Sequence, residues 1–236
     1  MYFKDLSEDM NSIADHFERL ELKFDAIYTG FLGSERQIDI VLDFIKKFST
    51  KDTLIFVDPV MGDDGVLYST YNDELCRRMR ELCSVADIIT PNLTEACFLS
   101  DTEYTDTSSM SDAEAFAFAD SLRERLAGLT KGKIIITGIP HRDNMFGTYG
   151  HTEIESEIGS MYSVRRISKS YPGTGDLFAC VLLGALLNGD DESSAIRFAS
   201  EYICRVMEYT SQFDTPEREG VAFEHFMAEL AEYVRG

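Results

Sequence analysis

The sequence has few cysteines and histidines, and it contains no hydrophobic run long enough to cross a bilayer. Its five cysteines are odd in number and lack the spacing of a disulfide scaffold, which predicts a reducing, cytoplasmic environment. Its four histidines are scattered along the chain, and no cysteine–histidine cluster indicates a zinc site. The first residues, Met1–Glu8, lack the basic and apolar regions of a signal peptide.

Basic residues are also scarce, since 22 lysines and arginines face 42 acidic residues and leave a net charge of −20. Such a surface repels nucleic acid and anionic membranes, so neither is expected as a partner. A phosphate ligand is still allowed, because backbone N–H groups can bind one locally. The length of 236 residues suits one large domain, and the absence of repeats and low-complexity linkers predicts a single domain over residues 1–236.

Apolar periodicity predicts helices alternating with short strands. The predicted helices cover 7–20, 34–48, 70–83, 93–100, 112–127, 175–188, 191–211 and 218–234. The predicted strands cover 24–28, 54–57, 87–89 and 133–137, followed by a β-hairpin over 145–166. This order predicts a three-layer α/β fold with a mainly parallel central sheet. Ligands of such sheets bind beyond the carboxyl ends of the strands.

The segment Ser170–Ala179 predicts a loop that turns into a helix, with Asp176 in its first turn. Gly173 and Gly175 allow positive φ and a close approach of the backbone to a ligand. The free N–H groups at the helix start favour an anion, and Asp176 is well sited to accept a proton from a hydroxyl that attacks a phosphate. The alternative is a glycine turn with an aspartate favoured by the helix dipole, and this motif alone does not decide between them.

A second motif, Val57–Tyr68, places Asp58 at the end of a buried strand and Asp63 and Asp64 in a glycine-bounded loop. Several carboxylates beside a phosphate site are what Mg²⁺ requires. The alternative is an acidic surface turn, which fits Asp64 better than Asp58.

A third motif, Ala86–Ala96, also joins a strand to a helix. Asn92 as N-cap and Glu95 at the third helical position predict a capping box. A functional interpretation directs both side chains towards a metal–phosphate centre, and the two interpretations are compatible. Thr137, at the end of the predicted strand 133–137, is a weaker candidate.

Taken in this order, the motifs resemble the pyridoxal kinases of the ribokinase-like superfamily. The motifs are Asp-Pro-Val-Met-Gly-Asp with Gly-x-Leu-Tyr, then Thr-Pro-Asn-x-x-Glu, then Gly-Thr-Gly-Asp, and Phe24–Gly33 is similar to the segment that precedes them. The resemblance extends from about Tyr2 to about Thr210. It implies a ribokinase-like fold and ATP-dependent transfer of the γ-phosphate to the 5′-hydroxyl of pyridoxal, pyridoxine or pyridoxamine.

The resemblance also implies a role for each candidate residue. The catalytic base matches Asp176. The anion hole that holds the transferring phosphoryl group matches Gly173, Thr174 and Gly175. Positions around Mg²⁺ and the ATP phosphates match Asp58, Asp63, Asn92 and Glu95, of which Asp58 and Glu95 are the metal candidates. Positions on the nucleotide side, where a monovalent cation such as K⁺ also binds, match Thr90, Thr137 and Tyr68.

Two further expectations follow from the resemblance. Hydroxymethylpyrimidine kinases look similar around Thr90–Glu95, but they usually have cysteine at the position of Asp176 and lack the Met-Gly-Asp run, which favours the vitamin B6 side. The family begins with a strand–helix unit that has no counterpart before Met1, so the fold is expected to be shortened at its N-terminus, with part of the pyridoxal pocket and of a homodimer contact missing. ATP binding is therefore better supported than pyridoxal binding, and a non-catalytic relative that binds nucleotide or vitamin B6 stays an alternative.

Overall fold

The structure, a computed structural model, describes residues 4–142, 144–150, 160–167 and 169–233. Its α-helices are α1 (Ser7–Arg19), α2 (Glu35–Phe48), α3 (Asp73–Ser84), α4 (Leu93–Leu99), α5 (Asp112–Leu126), α6 (Thr174–Leu187), α7 (Glu192–Thr210) and α8 (Met227–Tyr233). Its strands are β1 (Ala26–Thr29), β2 (Leu54–Val57), β3 (Gly62–Asp63), β4 (Val66–Leu67), β5 (Ile88–Ile89), β6 (Lys133–Ile134), β7 (Ile136–His141), β8 (Met145–Gly150) and β9 (Ser160–Arg165). Two short 3-10 helices, Glu217–Glu219 and Phe223–Phe226, precede α8.

The chain divides into two compact units. Unit 1 comprises residues 1–105 and 121–134, and unit 2 comprises residues 106–120 and 135–236. Unit 1 contains a four-stranded parallel sheet in the order β1-β2-β5-β6. The predicted α/β fold with a mainly parallel sheet is therefore confirmed.

The strands of this sheet end side by side, because their register is even. Val57 at the end of β2 pairs with Thr29 of β1 on one side and with Ile89 of β5 on the other. Phe56, Val57 and Ile89 are fully buried, as expected for apolar strands covered on both faces. The residues that follow β2 and β5 are thereby brought to one edge of the sheet.

The helices of unit 1 form where the sequence predicts them. Ser34 accepts a hydrogen bond from the Gln37 N–H and begins α2, and the apolar stripe of that helix contributes Ile38 and Ile45 to the core. Phe24, just before β1, packs against Phe44 with ring centroids 5.8 Å apart. Such contacts bury large aromatic surfaces, which stabilises the packing of α2 on the sheet.

Unit 2 is built around an antiparallel sheet in the order β7-β8-β9. The predicted hairpin over 145–166 is confirmed for β8 and β9, while residues 151–159 lie outside the described residues. Tyr149 of β8 and Tyr202 of α7 are fully buried within this unit. The Tyr149 hydroxyl donates to the Asp120 carboxylate at 2.7 Å, so this large polar ring is satisfied in the core.

Two predicted elements are wrong in their extent. The apolar run over 133–137 is not one parallel strand, because β6 ends at Ile134 and β7 begins at Ile136 and pairs antiparallel with β8. The pairing register of β7 shifts between Ile136 and Ile139, where Gly138 has a φ of +63°. The predicted helix over 218–234 is interrupted as well, since Gly220 at φ +76° separates short helical segments; Val234 lies outside the described residues.

No helix in the described part of the chain is both long and apolar enough to span a membrane.

Candidate active site

Three polar side chains meet the carboxyl edge of the parallel sheet in unit 1. Thr29 ends β1, Asp58 follows β2 and Thr90 follows β5. The backbone links them, since the Asp58 N–H donates to the Thr29 carbonyl at 2.8 Å and the Thr90 N–H donates to the Val57 carbonyl at 3.0 Å. All three side chains are buried, and within the described part of the chain the hydroxyls of Thr29 and Thr90 have no hydrogen-bond partner. Unsatisfied buried hydroxyls on either side of a buried carboxylate are suited to bind a hard cation, which prefers oxygen ligands.

The capping box predicted at the start of α4 is confirmed, and it reaches further than its own helix. The Asn92 side chain accepts from the Glu95 N–H at 2.9 Å, and Glu95 Oε2 accepts from the Asn92 N–H at 2.7 Å. Glu95 Oε1 also accepts from the Met61 N–H at 3.0 Å, and Asn92 Nδ2 donates to the Gly62 carbonyl at 2.8 Å. The two motif residues thus hold the Met61–Gly62 backbone against the helix start.

Glu95 is buried next to a second carboxylate. Its removal from water, followed in importance by the negative charge of Asp58, raises the pKa of Glu95 well above its ordinary value. The N–H groups of Asn92 and Met61 act in the opposite direction. A cation beside this pair would offset the repulsion between the two carboxylates.

The acidic loop of the second motif is a tight hairpin between β3 and β4. Asp64 and Gly65 occupy its two turn positions with φ +47° and +77°, as a two-residue hairpin of this hand requires. Thr94 accepts from the Gly65 N–H at 2.9 Å and ties the turn to α4. The turn interpretation of Asp64 is therefore correct. Loss of hydration, with the charge of Asp64 as a further cause, raises the pKa of Asp63 at the end of β3.

Tyr68 lies just after β4 and is exposed, at 42% of its full surface. Its N–H donates to the Met61 carbonyl at 2.9 Å. The predicted candidates Asp58, Asp63, Thr90, Asn92 and Glu95 lie with it in unit 1, on or next to the carboxyl edge of the sheet.

The glycine motif in unit 2 has the predicted conformation at the start of α6. Gly173 is the N-cap residue with φ +84°, and α6 begins at Thr174, whose hydroxyl donates to the Tyr171 carbonyl at 3.1 Å. Asp176 lies in the first turn and is exposed. Gly175 differs from the prediction, because it is helical and has no positive φ. Because glycine has no side chain, this position leaves the backbone N–H groups of the first turn accessible.

Thr137 is the candidate whose position differs most from the prediction. It is the second residue of β7 and lies at the register shift beside Gly138, not at the carboxyl end of a parallel strand. It belongs to unit 2 together with Gly173, Thr174, Gly175 and Asp176.

Thr29 was not among the residues predicted from the sequence. The available signal was its place directly after a predicted strand, since Thr90 likewise follows the predicted strand 87–89. Among the described residues no group of three or more histidines, cysteines, aspartates and glutamates is arranged to hold a metal ion. A cation at the sheet edge would therefore need hydroxyl oxygens, such as those of Thr29 and Thr90, besides Asp58 and Glu95.

The comparisons with known proteins agree on one family. A family model described as phosphomethylpyrimidine kinase matches residues 7–219. The pyridoxine/pyridoxal/pyridoxamine kinase of Bordetella avium is 28% identical over 196 residues, which are 81% of this chain and 62% of that enzyme. The chain spans between 39% and 62% of the length of four further curated relatives.

Two solved structures are similar over nearly the whole chain. One is a Bacteroides thetaiotaomicron protein designated a phosphomethylpyrimidine kinase, in a crystal form with pyridoxal; it is 36% identical, with a TM-score of 0.84, over 98% of this chain and 79% of that one. The other is pyridoxal kinase from Lactobacillus plantarum, which is 28% identical with a TM-score of 0.84 over 97% of this chain and 78% of that one.

Proposed function

The chain belongs to the phosphomethylpyrimidine kinase family, and from this premise we propose that it phosphorylates the 5′-hydroxyl of pyridoxal, pyridoxine or pyridoxamine with ATP. It has the α/β, ribokinase-like fold of the related kinase structures. We further propose that residues 1–236, including both compact units, serve as one kinase domain.

The observation that carries the proposal is the start of α6. Gly173 in the left-handed conformation opens the helix, so the N–H groups of its first turn are not covered by a capping side chain. These groups and the helix dipole favour a phosphoryl group, while the exposed Asp176 carboxylate lies in the same turn. An acceptor for a proton and donors for a phosphoryl group are thereby held on one rigid element.

The proposed reaction is a direct displacement at phosphorus. Asp176 accepts the proton of the substrate hydroxyl, whose oxygen attacks the γ-phosphorus of ATP. The bond between the γ-phosphorus and the bridging oxygen breaks, and ADP leaves. Backbone N–H groups of Gly173, Thr174 and Gly175 hold the transferring group, which needs mainly positioning and charge neutralisation.

The unit 1 residues fit a cation and the nucleotide phosphates. The buried Asp58 carboxylate, the raised pKa of Glu95 beside it and the unpartnered Thr90 hydroxyl are what a cation would satisfy. Mg²⁺ at Asp58 and Glu95 would neutralise charge on the ATP phosphates, and Thr90 would suit a monovalent cation such as K⁺. We assign ATP contacts to Asp63, Tyr68, Thr90 and Asn92 of unit 1, and to Thr137 of unit 2.

Support for a vitamin B6 substrate comes from the relatives. The Bacteroides thetaiotaomicron protein was crystallised with pyridoxal, and the Bordetella avium and Lactobacillus plantarum proteins are named as kinases of B6 vitamers. The acidic surface disfavours a nucleic-acid substrate, and we propose a cytoplasmic location because the five cysteines are free thiols.

A second candidate is a hydroxymethylpyrimidine-type kinase. The family description favours it, and so does a thiamine biosynthetic bifunctional enzyme of Arabidopsis thaliana that is 26% identical over 223 residues. Asp176 and the Met61–Asp63 run argue for the vitamin B6 side.

The test is a substrate panel with the purified 236-residue chain, Mg²⁺ and ATP. Pyridoxal, pyridoxine, pyridoxamine and hydroxymethylpyrimidine are compared, and the phosphorylated products are measured by chromatography. We expect product from the B6 vitamers and a loss of at least about 100-fold in turnover in Asp176→Asn. Faster turnover of hydroxymethylpyrimidine than of the B6 vitamers would contradict the proposed substrate and assign hydroxymethylpyrimidine in its place.

The matched control is Asp190→Asn, which changes an acidic residue near the opposite end of α6. It should leave turnover unchanged. Equal turnover of Asp176→Asn and the unmodified chain would refute the assigned base. Thermal shifts with ATP and pyridoxal but no product from any substrate would show a binding protein instead of a kinase.

A further inference from the structure

Residues 217–226, which lie between α7 and α8 in unit 2, are called the C-terminal strap here. Its first part is a 3-10 helix, Glu217–Glu219, which ends at Gly220. The conformation of Gly220, φ +76° and ψ −157°, belongs to a region that is essentially reserved for glycine. The chain therefore makes its turn at a position where no other residue fits without strain.

Gly220 approaches the loop in front of α6. A Cβ atom built on Gly220 would lie 3.4 Å from the carbonyl oxygen of Pro172, which is ordinary van der Waals contact distance. Pro172 directly precedes Gly173, the N-cap residue of α6. The strap thus comes close to the backbone that leads into the proposed anion-binding turn, with room for little more than one carbon atom between them.

The strap is firmly attached on its other side to α7. Ala222 lies two residues after Gly220, and its N–H donates to the buried Thr210 hydroxyl at 2.9 Å. The His225 ring stacks on Tyr209 with centroids 4.4 Å apart and planes 6° apart. Phe226 packs edge-on against the same tyrosine at 5.6 Å. These contacts hold the strap to a nineteen-residue helix, so it can act as a rigid support.

The loop passes from the buried Tyr171 to an exposed turn. Pro172 and Gly173 are both exposed, and the Thr174 hydroxyl bond to the Tyr171 carbonyl is a local contact within the same turn. Exposed backbone with few long-range contacts opens easily unless something packs against it. The close approach of the Gly220 backbone places the strap where it can supply such packing.

We propose that the C-terminal strap positions the Pro172–Gly173 loop, and that Gly220 is the positioning residue through which it acts. The inference rests on the proposed function only for its kinetic consequence; the contact itself is independent of it. Because the loop sets the direction of the N–H groups at the start of α6, a displaced strap would misplace the transferring phosphoryl group.

The test compares Gly220→Ala with Gly189→Ala. Gly189 also has a positive φ, +101°, and a Cβ there would meet no atom within 4 Å, so alanine strains the backbone there without meeting the loop. Hydrogen exchange of the hydrogen-bonded amides of residues 177–180, the first of which donates to the Gly173 carbonyl, is the primary readout and is followed by mass spectrometry. We expect exchange at least about threefold faster in Gly220→Ala and unchanged exchange in Gly189→Ala.

Kinetics provide the second readout. Gly220→Ala should lower kcat about tenfold and leave the KM for pyridoxal within about twofold, since phosphoryl positioning and not vitamin binding is affected. Thr210→Val, which removes the acceptor for the Ala222 N–H, should act in the same direction, and Thr210→Ser should restore both readouts. If the chain had no kinase activity, the proposed function would be wrong. The exchange measurement would still show whether the strap positions the Pro172–Gly173 loop.

Equal exchange at residues 177–180 in Gly220→Ala, Gly189→Ala and the unmodified chain would overturn the proposal. Equal effects of Thr210→Val and Thr210→Ser on exchange and kcat would also overturn it, because the support would then not depend on the hydroxyl that accepts from the Ala222 N–H.

Discussion

Asn92 and Glu95 exchange hydrogen bonds across the first turn of α4, and each also binds the Met61–Gly62 backbone. The motif therefore joins two segments that are about thirty residues apart in sequence. A residue pair that looks like an ordinary helix cap is also the link between the acidic hairpin and the helix start. This link has a consequence for stability that an ordinary cap would not have.

Asn92→Ala should cost more than the loss of an N-cap alone. The substitution removes the acceptor for the Glu95 N–H and the donor to the Gly62 carbonyl, so we expect a loss of about 2 kcal/mol in the free energy of unfolding. Asn72→Ala is the matched control, because Asn72 caps α3 through the Leu75 N–H and should cost about 1 kcal/mol. Urea denaturation measures both, and equal losses would show that the bond to Gly62 contributes nothing.

The buried Glu95 predicts a specific pH dependence of stability. Because burial and Asp58 raise its pKa in the folded chain, the protonated form is favoured by folding, and this contribution is complete below the pKa of the unfolded state. It is lost as the pH rises through the raised pKa of Glu95. Between the pKa of unfolded Glu95 and its raised pKa in the folded chain, the free energy of unfolding of the native chain should therefore fall relative to that of Glu95→Gln.

Asp58→Asn provides the second arm of this experiment. Removing the neighbouring charge lowers the pKa of Glu95 in the folded chain. The fall in the free energy of unfolding should therefore be complete at a lower pH. Urea denaturation from pH 4 to pH 9 measures the trend. A difference between the native chain and Glu95→Gln that does not change with pH would contradict the assigned coupling.

Magnesium should stabilise the chain through the same carboxylates. A cation at Asp58 and Glu95 binds the folded chain only, so 10 mM Mg²⁺ should raise Tm by about 2–4 °C above pH 7. The effect should be absent in Asp58→Asn and should weaken as the pH is lowered, because protonation of Glu95 removes a negative charge from the site. Differential scanning fluorimetry with NaCl at matched ionic strength separates this from charge screening.

The capping box could be predicted from the sequence because its signal is local. Asparagine and glutamate three residues apart, ahead of an apolar run, satisfy the open N–H groups of a helix wherever the chain goes next. The bonds from Glu95 to Met61 and from Asn92 to Gly62 could not be predicted in this way. They depend on the parallel pairing of β2 with β5, which brings separate segments to one edge of the sheet.

The two glycines of the α6 motif should respond in opposite ways to alanine. Gly173→Ala places a side chain at φ +84° and should destabilise by about 1 kcal/mol, although the Cβ would meet no atom within 4 Å. Gly175→Ala lies within α6, where alanine is the better helix former, and should stabilise by about 0.5–1 kcal/mol. Denaturant titration gives the signs, and stabilisation by Gly173→Ala would contradict the left-handed conformation.

Local apolarity explains why the run over 133–137 was predicted as one strand. Every residue from Ile134 to Ile136 is buried, as in a continuous parallel strand. The chain nevertheless leaves one sheet at Ile134 and enters another at Ile136, and the left-handed Gly138 lies at the register shift that follows. Hydrophobic periodicity reports burial, and it does not report which neighbour provides the hydrogen bonds. The position of Thr137 could therefore not be derived from the pattern.

Thiol reactivity provides an independent check on the packing of α3, α4 and α6. Burial raises the pKa of Cys97 to about 11, and it raises the pKa of the fully buried Cys83 further, with the charges of Glu95 and Asp58 as lesser causes. Cys180 on α6 is exposed. Because only the thiolate reacts, iodoacetamide at pH 8 should label Cys180 first and leave Cys83 and Cys97 largely unmodified in the folded chain. Peptide mass spectrometry identifies the labelled sites, and labelling in 8 M urea is the control in which all three cysteines should react. Early labelling of Cys83 in the folded chain would contradict its place in the core beneath Glu95 and Asp58.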